Sequence, residues 1–182
     1  MKKIVVIIVS LLLTACVSIY QPVPEGYVGE TSRINDSYSN LNLLRTKAHF
    51  FILFRVDDKL VLDSYTETLW KFNKDIRTTG KYTASAHVVA GSFTLTPNFY
   101  PVITSRDVLP SEQKFSIQGF VFYPTEKQRV FNDSMRVSHE FMFTPKPGEN
   151  YTIKGKLEKS GSTIWLEDSA GRVIEGSVGK ES

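Results

Sequence analysis

The chain has 182 residues, 22 Lys and Arg against 19 Asp and Glu, and a single cysteine, Cys16. That length suits one ordinary domain with its own core. No Lys/Arg cluster forms a nucleic-acid footprint, and a lone cysteine excludes an internal disulfide or a multi-thiolate metal site. Read from the start, Lys2 and Lys3 precede the apolar stretch Ile4 to Leu13, broken by Ser10, and Thr14-Ala15-Cys16 follow. A positive start, an apolar run of roughly 7–15 residues and small residues at the cut make a secretory signal. The run is shorter than the ~20 residues that cross a bilayer, so a lasting transmembrane helix is not expected.

Leu13-Thr14-Ala15-Cys16 resembles the lipobox of bacterial lipoproteins. The resemblance implies a signal peptide over residues 1–15, removed before Cys16, and a cysteine thiol carrying a diacylglyceryl group, with palmitate or a similar chain on the new amine. Two or more acyl chains hold a protein firmly, at about 0.8 kcal/mol per buried methylene. The next residue is Val17 and not Asp, which by the same resemblance directs the protein to the outer membrane, facing the periplasm. The signal takes Lys2 and Lys3 with it, so the remaining chain is nearly neutral. With Cys16 acylated, no thiol is left for chemistry, and the 12 Phe, 8 Tyr and 2 Trp must supply the core.

Residues 16–26, with Pro22 and Pro24, read as the lipidated cysteine and a tether, because proline disfavours helix and cannot donate to a ladder. Residues 27–178 form the single folded domain. Ala48–Val56 is aromatic and β-branched, and Asp57-Asp58-Lys59 turns it into Leu60-Val61-Leu62. Ser64 and Glu67 fit a capping box, and Tyr65, Leu69, Phe72 and Ile76 share one face, so a short helix is expected over about 65–76, with Gly80 past its end. Strands follow at Tyr82–Ala90 and Ser92–Thr96 about Gly91, then Phe115–Tyr123, Val137–Phe143, Tyr151–Leu157, Ile164–Glu167 and Val173-Ile174. Short strands between Gly, Pro and Asp turns predict a mainly β fold, an antiparallel β-sandwich or partly open barrel.

Few residues stand at spacings that carry chemistry. His49, His87 and His139 lie in expected strands with no metal-ligand spacing, and no second histidine follows His139-Glu140 at the zinc-protease interval. Ser111–Lys114 and Ser177–Lys180 match Ser-x-x-Lys, but the companion elements of penicillin-binding enzymes are missing. Asp57, Asp58 and Asp63 could offer oxygens to Ca²⁺; turn chemistry is the simpler account. No catalytic, cofactor-binding or metal residue is assigned. The unbroken runs Phe50–Phe54 and Phe120–Tyr123 mean strands covered on both faces. The cover is a second sheet or the helix; the alternative is a groove or partner surface.

Pro24-Glu25-Gly26-Tyr27-Val28-Gly29, Ile34-Asn35-Asp36-Ser37, Phe143–Gly155 and Trp165-Leu166-Glu167-Asp168, taken with the lipobox, resemble uncharacterised lipoproteins of Gram-negative bacteria with a small β-sandwich domain. The resemblance covers both ends of the chain and implies fold and location only; Trp165 is expected as a core anchor. The expectation is a lipid-anchored envelope protein, a non-enzymatic binding or structural module held to the membrane through Cys16, with an envelope protein or glycan as partner and no nucleic acid. Two alternatives are a carrier of a small apolar ligand and an envelope hydrolase whose site is dispersed in sequence. Cys16→Ser should abolish palmitate labelling and signal cleavage; a variant still labelled and membrane-bound would refute the lipoprotein reading.

Overall fold

A computed structural model describes residues 19–42, 47–79, 84–89, 92–97, 99–123 and 134–181, with backbone alone at 72–79, 84–89 and 92–97. The elements run β1 (Ser32–Asn35), β2 (Ser37–Ser39), β3 (Ala48–Val56), β4 (Lys59–Leu60), α1 (Ser64–Thr79), β5 (Ala84–Val89), β6 (Ser92–Pro97), β7 (Ser105–Val108), β8 (Gln113–Phe122), β9 (Arg136–Phe143), β10 (Asn150–Lys156), β11 (Thr163–Asp168) and β12 (Gly179–Lys180). The first sheet has the order β12-β11-β10-β1-β7; the second has β2-β3-β8-β9, with β4 also on β3; β5 and β6 pair as a separate hairpin. All pairs are antiparallel except β1 with β10. The fold is mainly β, two packed sheets with one helix, and is not closed into a barrel. The side chains of Phe72 and Ile76 on the expected helix face, and the turns at Gly80 and Gly91, lie outside what is described.

The core lies between the sheets. Ile34, Tyr151, Ile153, Ile164 and Leu166 of the first sheet meet Phe51, Leu53, Phe115, Ile117 and Val137 of the second. Alternation along β3 sends Phe51 and Leu53 inward and Phe50 and Ile52 outward. A bulge between Leu53 and Arg55 then shifts the register, so that Val56 and not Arg55 meets the core. Gly119 and Gly155 both border the Phe51 ring, where a Cβ would collide with it.

The outer face of the second sheet carries a second apolar cluster of Ala48, Phe50, Ile52, Phe99 and Phe122, against which Tyr65 and Leu69 of α1 pack. Tyr65 meets Phe120 and Phe99 meets Phe122 edge to face, 5.1 Å and 4.6 Å between centroids, while Phe50 stacks on Phe99 and Phe120. Both faces of β3 are thus covered, one by the first sheet and the other by the helix. Trp165 is not a core anchor: strand alternation buries Ile164 and Leu166, leaving Trp165 half-exposed, its indole N–H donating to Glu167 at 2.7 Å.

One buried ion pair joins these layers. Asp36 sits at the step from β1 to β2, its side chain wholly buried. Its carboxylate accepts the N–H of Leu53 and the N–H of Ser64, each at 2.8 Å. Arg106 of β7 grips it with both terminal nitrogens, and Nη1 also donates to the carbonyl of Leu62 at 2.6 Å. The first sheet, the central strand of the second and the start of the helix are therefore held on one carboxylate.

Candidate functional site

The helix start is built from three residues with separate partners, Asp63, Ser64 and Thr68. Asp63 is the N-cap: its Oδ1 accepts the N–H of Thr66 at 2.7 Å and its carbonyl the N–H of Glu67 at 3.1 Å. Ser64, the cap expected from sequence, is instead the first helical residue. Its N–H goes to Asp36 and its hydroxyl accepts the N–H of Thr104 at 2.7 Å. Thr68, one turn on, accepts the N–H of Val102 at 2.9 Å. These bonds tie the helix to the segment entering β7 and set its position over the sheet.

Beside the helix start the outer face of the second sheet forms a groove of about 400 Å³. Ile52, Phe54, Phe120 and Phe122 line it from the strands, Tyr65 and Asp63 from the helix start. Gln118 and Arg136 stand at its polar side, joined by an Nη2–Oε1 bond of 2.9 Å. Burial pushes the Asp63 carboxyl above its ordinary value, helped by the Asp36 charge and opposed by the bonds from Thr66. The site is therefore an aromatic concavity with a few polar groups at its margin, the usual make-up of a ligand or peptide pocket. A second cavity, of about 270 Å³, lies at the edge of the first sheet and is lined among others by Tyr20, Gln21, Leu62, Arg106 and Asp107.

The other sequence candidates do not gather here. His49 is buried, its Nδ1 bonded to the amide of Asn40 at 3.2 Å; burial and then Lys47 hold its imidazole below the usual range. His139 bonds the carbonyl of Gly176 at 2.9 Å and stacks on Phe141. They pair with Val121 and Ile117 on opposite sides of β8, which puts them roughly 17 Å apart by strand geometry. His87 lies on β5, where the backbone alone is described.

Neither Ser-x-x-Lys match makes a nucleophile. Lys114 is ion-paired to Asp58 at 2.8 Å and Glu140 at 2.9 Å, and these bonds push its ammonium up to about 12, so it cannot act as a base near neutrality. Ser177 is fully buried and bonds the backbone of Leu166 and Ile174. Asp57 and Asp58 have positive φ at the two central positions of the β3–β4 turn, and Asp57 accepts the N–H of Lys114 at 3.0 Å. With Asp63 occupied as a helix cap, the three carboxylates have separate structural tasks. Among the described residues, no group of three or more His, Cys, Asp or Glu could hold a metal ion.

Cys16 lies outside the described residues. Among those described, no helix is long and apolar enough to cross a membrane. Within the segment read as a tether, the chain is docked at Tyr20 and Pro22. Tyr20 donates its N–H to Leu60 at 2.8 Å, its ring packs on the inter-sheet core beneath the Lys59 ammonium 4.5 Å away, and Pro22 is buried. No family model, curated protein or solved structure matches the chain.

Asp63 gives a pH test. Its raised native value means the folded state holds the proton more tightly than the unfolded chain. The stabilisation this brings is full below the unfolded carboxylate range and is lost as pH rises through the native value. Asp63→Asn, which keeps a capping oxygen without the charge, should match the parent near about pH 3 and gain on it in Tm toward about pH 7. Asp63→Ala loses the cap and should cost about 1 kcal/mol at the acid end. Thermal melts across that range decide it; an Asn variant that falls behind the parent as pH rises contradicts the assignment.

Proposed function

We propose that the chain is a non-enzymatic binding module of the Gram-negative envelope, lipid-anchored in the outer membrane through Cys16 and facing the periplasm. The groove on the outer face of the second sheet is where it holds its partner. The anchor rests on the ordered elements of the signal, from Lys2-Lys3 through the apolar run to Leu13-Thr14-Ala15-Cys16, and the destination on Val17. The groove carries the binding half of the reading. Its floor is the margin of the second apolar cluster, outside the inter-sheet core: Ile52 and Phe122 are buried in that cluster, and Phe54 and Phe120 are left half-buried beside the helix start.

A hydrolase is disfavoured because the best nucleophile and base candidates are used structurally: Ser177 bonds backbone, Lys114 is locked between two carboxylates, and His49 and His139 stand apart. A second reading, a carrier of a small apolar ligand, is favoured by one observation. The groove volume of about 400 Å³ falls in the range of small-molecule pockets.

Both readings are tested in cells producing the intact lipidated protein with a photo-crosslinking residue at Ser134, in the groove, or at Ser160, on the β10–β11 turn. Adducts to another envelope macromolecule at Ser134 and not at Ser160 are the expected result. A small-molecule mass adduct at Ser134 would favour the carrier, and equal yields at both sites would refute the groove as the binding site.

A further inference from the structure

The docked segment fixes how far the domain can stand from its anchor. Tyr20 is bound to the body by its backbone bond to Leu60, its ring beneath Lys59 and its contact with the core. Four peptide steps separate it from Cys16. However they run, those steps reach at most ~14 Å. The nine-residue strand β3 alone is about 30 Å long. The reach of the link is thus about half the length of that strand, and a bilayer holding acyl chains on Cys16 meets the domain itself, at the corner where Tyr20 is docked.

That corner is identifiable. Tyr20 binds β4, which pairs with the Val56 end of β3, and it lines the small cavity together with Arg106 and Asp107 of β7, the edge strand of the first sheet. The opposite corner is the turn between β10 and β11. It lies past Gly155, which borders Phe51 in the middle of β3, and beside the β12 edge, where Glu181 donates its N–H to Ser162.

We infer that the lipid headgroup layer is itself a partner of this domain: the edge formed by β4, the docked residues 19–22 and β7 is seated on the bilayer in one orientation. This rests on the acylation of Cys16 proposed above. Ile19 is 46% exposed at this edge and offers apolar area to the interface, while Lys59, over the Tyr20 ring, offers a cation to anionic headgroups. The nearby carboxylates do not all oppose this: Asp58 is paired with Lys114 and Asp107 with Arg33. The groove shares no lining residue with the cavity under the docked segment.

Cys16 is the chain's single cysteine, so with it acylated an introduced thiol is labelled selectively. The intact lipidated protein is reconstituted in vesicles of phosphatidylethanolamine and phosphatidylglycerol containing a nickel-chelating quencher lipid, with a fluorophore on Asp107→Cys or on Ser160→Cys. The mass of each sample first establishes that it carries lipid. Absence of lipid overturns the anchor reading; the orientation is read on lipid-bearing protein alone. Quenching at position 107 should exceed that at 160 at least about twofold, because the corners differ by roughly a strand length. Equal quenching of the two labels, or stronger quenching at position 160, overturns the inference.

Discussion

The carboxylate of Asp36 is the point on which the layers of this protein converge. A buried charge is costly unless it is paired and its remaining lone pairs are satisfied. Asp36 meets both conditions, with the two terminal nitrogens of Arg106 on one side and the N–H groups of Leu53 and Ser64 on the other. Removing one partner of such a pair leaves the other buried and uncompensated, at about 3–5 kcal/mol. That is a large share of the 5–15 kcal/mol by which a domain is ordinarily stable. The role of the interaction is positional as well as energetic, since it sets where α1 begins relative to β3 and hence where the helix stops covering the sheet.

The groove follows from that placement. The outer face of β3 and of the second half of β8 is apolar and largely aromatic, and the helix covers Phe50 and Phe122 through Tyr65 and Leu69. Near the helix start, Ile52, Phe54 and Phe120 border the groove together with Asp63, whose carboxyl caps the helix. The edge that docks Tyr20 and the face that carries the groove are separate surfaces. In the proposed reading, the first is seated on the membrane and the second engages the partner.

The strong elements were legible because their patterns are strong. The runs Phe50–Phe54 and Phe120–Tyr123 predicted covered strands, and β3, β8, β9, β10 and β11 appear within a few residues of the expected bounds. The helix was legible from the spacing of Tyr65 and Leu69. What failed to show were β1, β2, β7 and β12, each two to four residues long. β7 reads Ser-Arg-Asp-Val, and its inward Arg106 looks like a surface residue until Asp36, seventy positions away, is placed against it. The same long-range partner moved the helix cap, because Asp63 and Ser64 are both good capping residues and Asp36 and Thr104 claim the serine. Trp165 misled for a simpler reason: bulk suggested the core, while strand parity gave the inward places to Ile164 and Leu166. The groove announced itself only as apolar runs with two readings, and Gln118 and Arg136 carried no signal at all.

The central claim is that one buried carboxylate locks the helix start to both sheets. The most direct measurement is native-state hydrogen exchange of the Ser64 amide compared with that of Leu53. The first residues of a helix have no intrahelical acceptor for their N–H groups and ordinarily exchange quickly. Bound to Asp36, the Ser64 amide should exchange as slowly as Leu53 within the central strand, both reporting global unfolding. A Ser64 amide that exchanges at the rate of a frayed helix end while Leu53 stays protected would contradict the account.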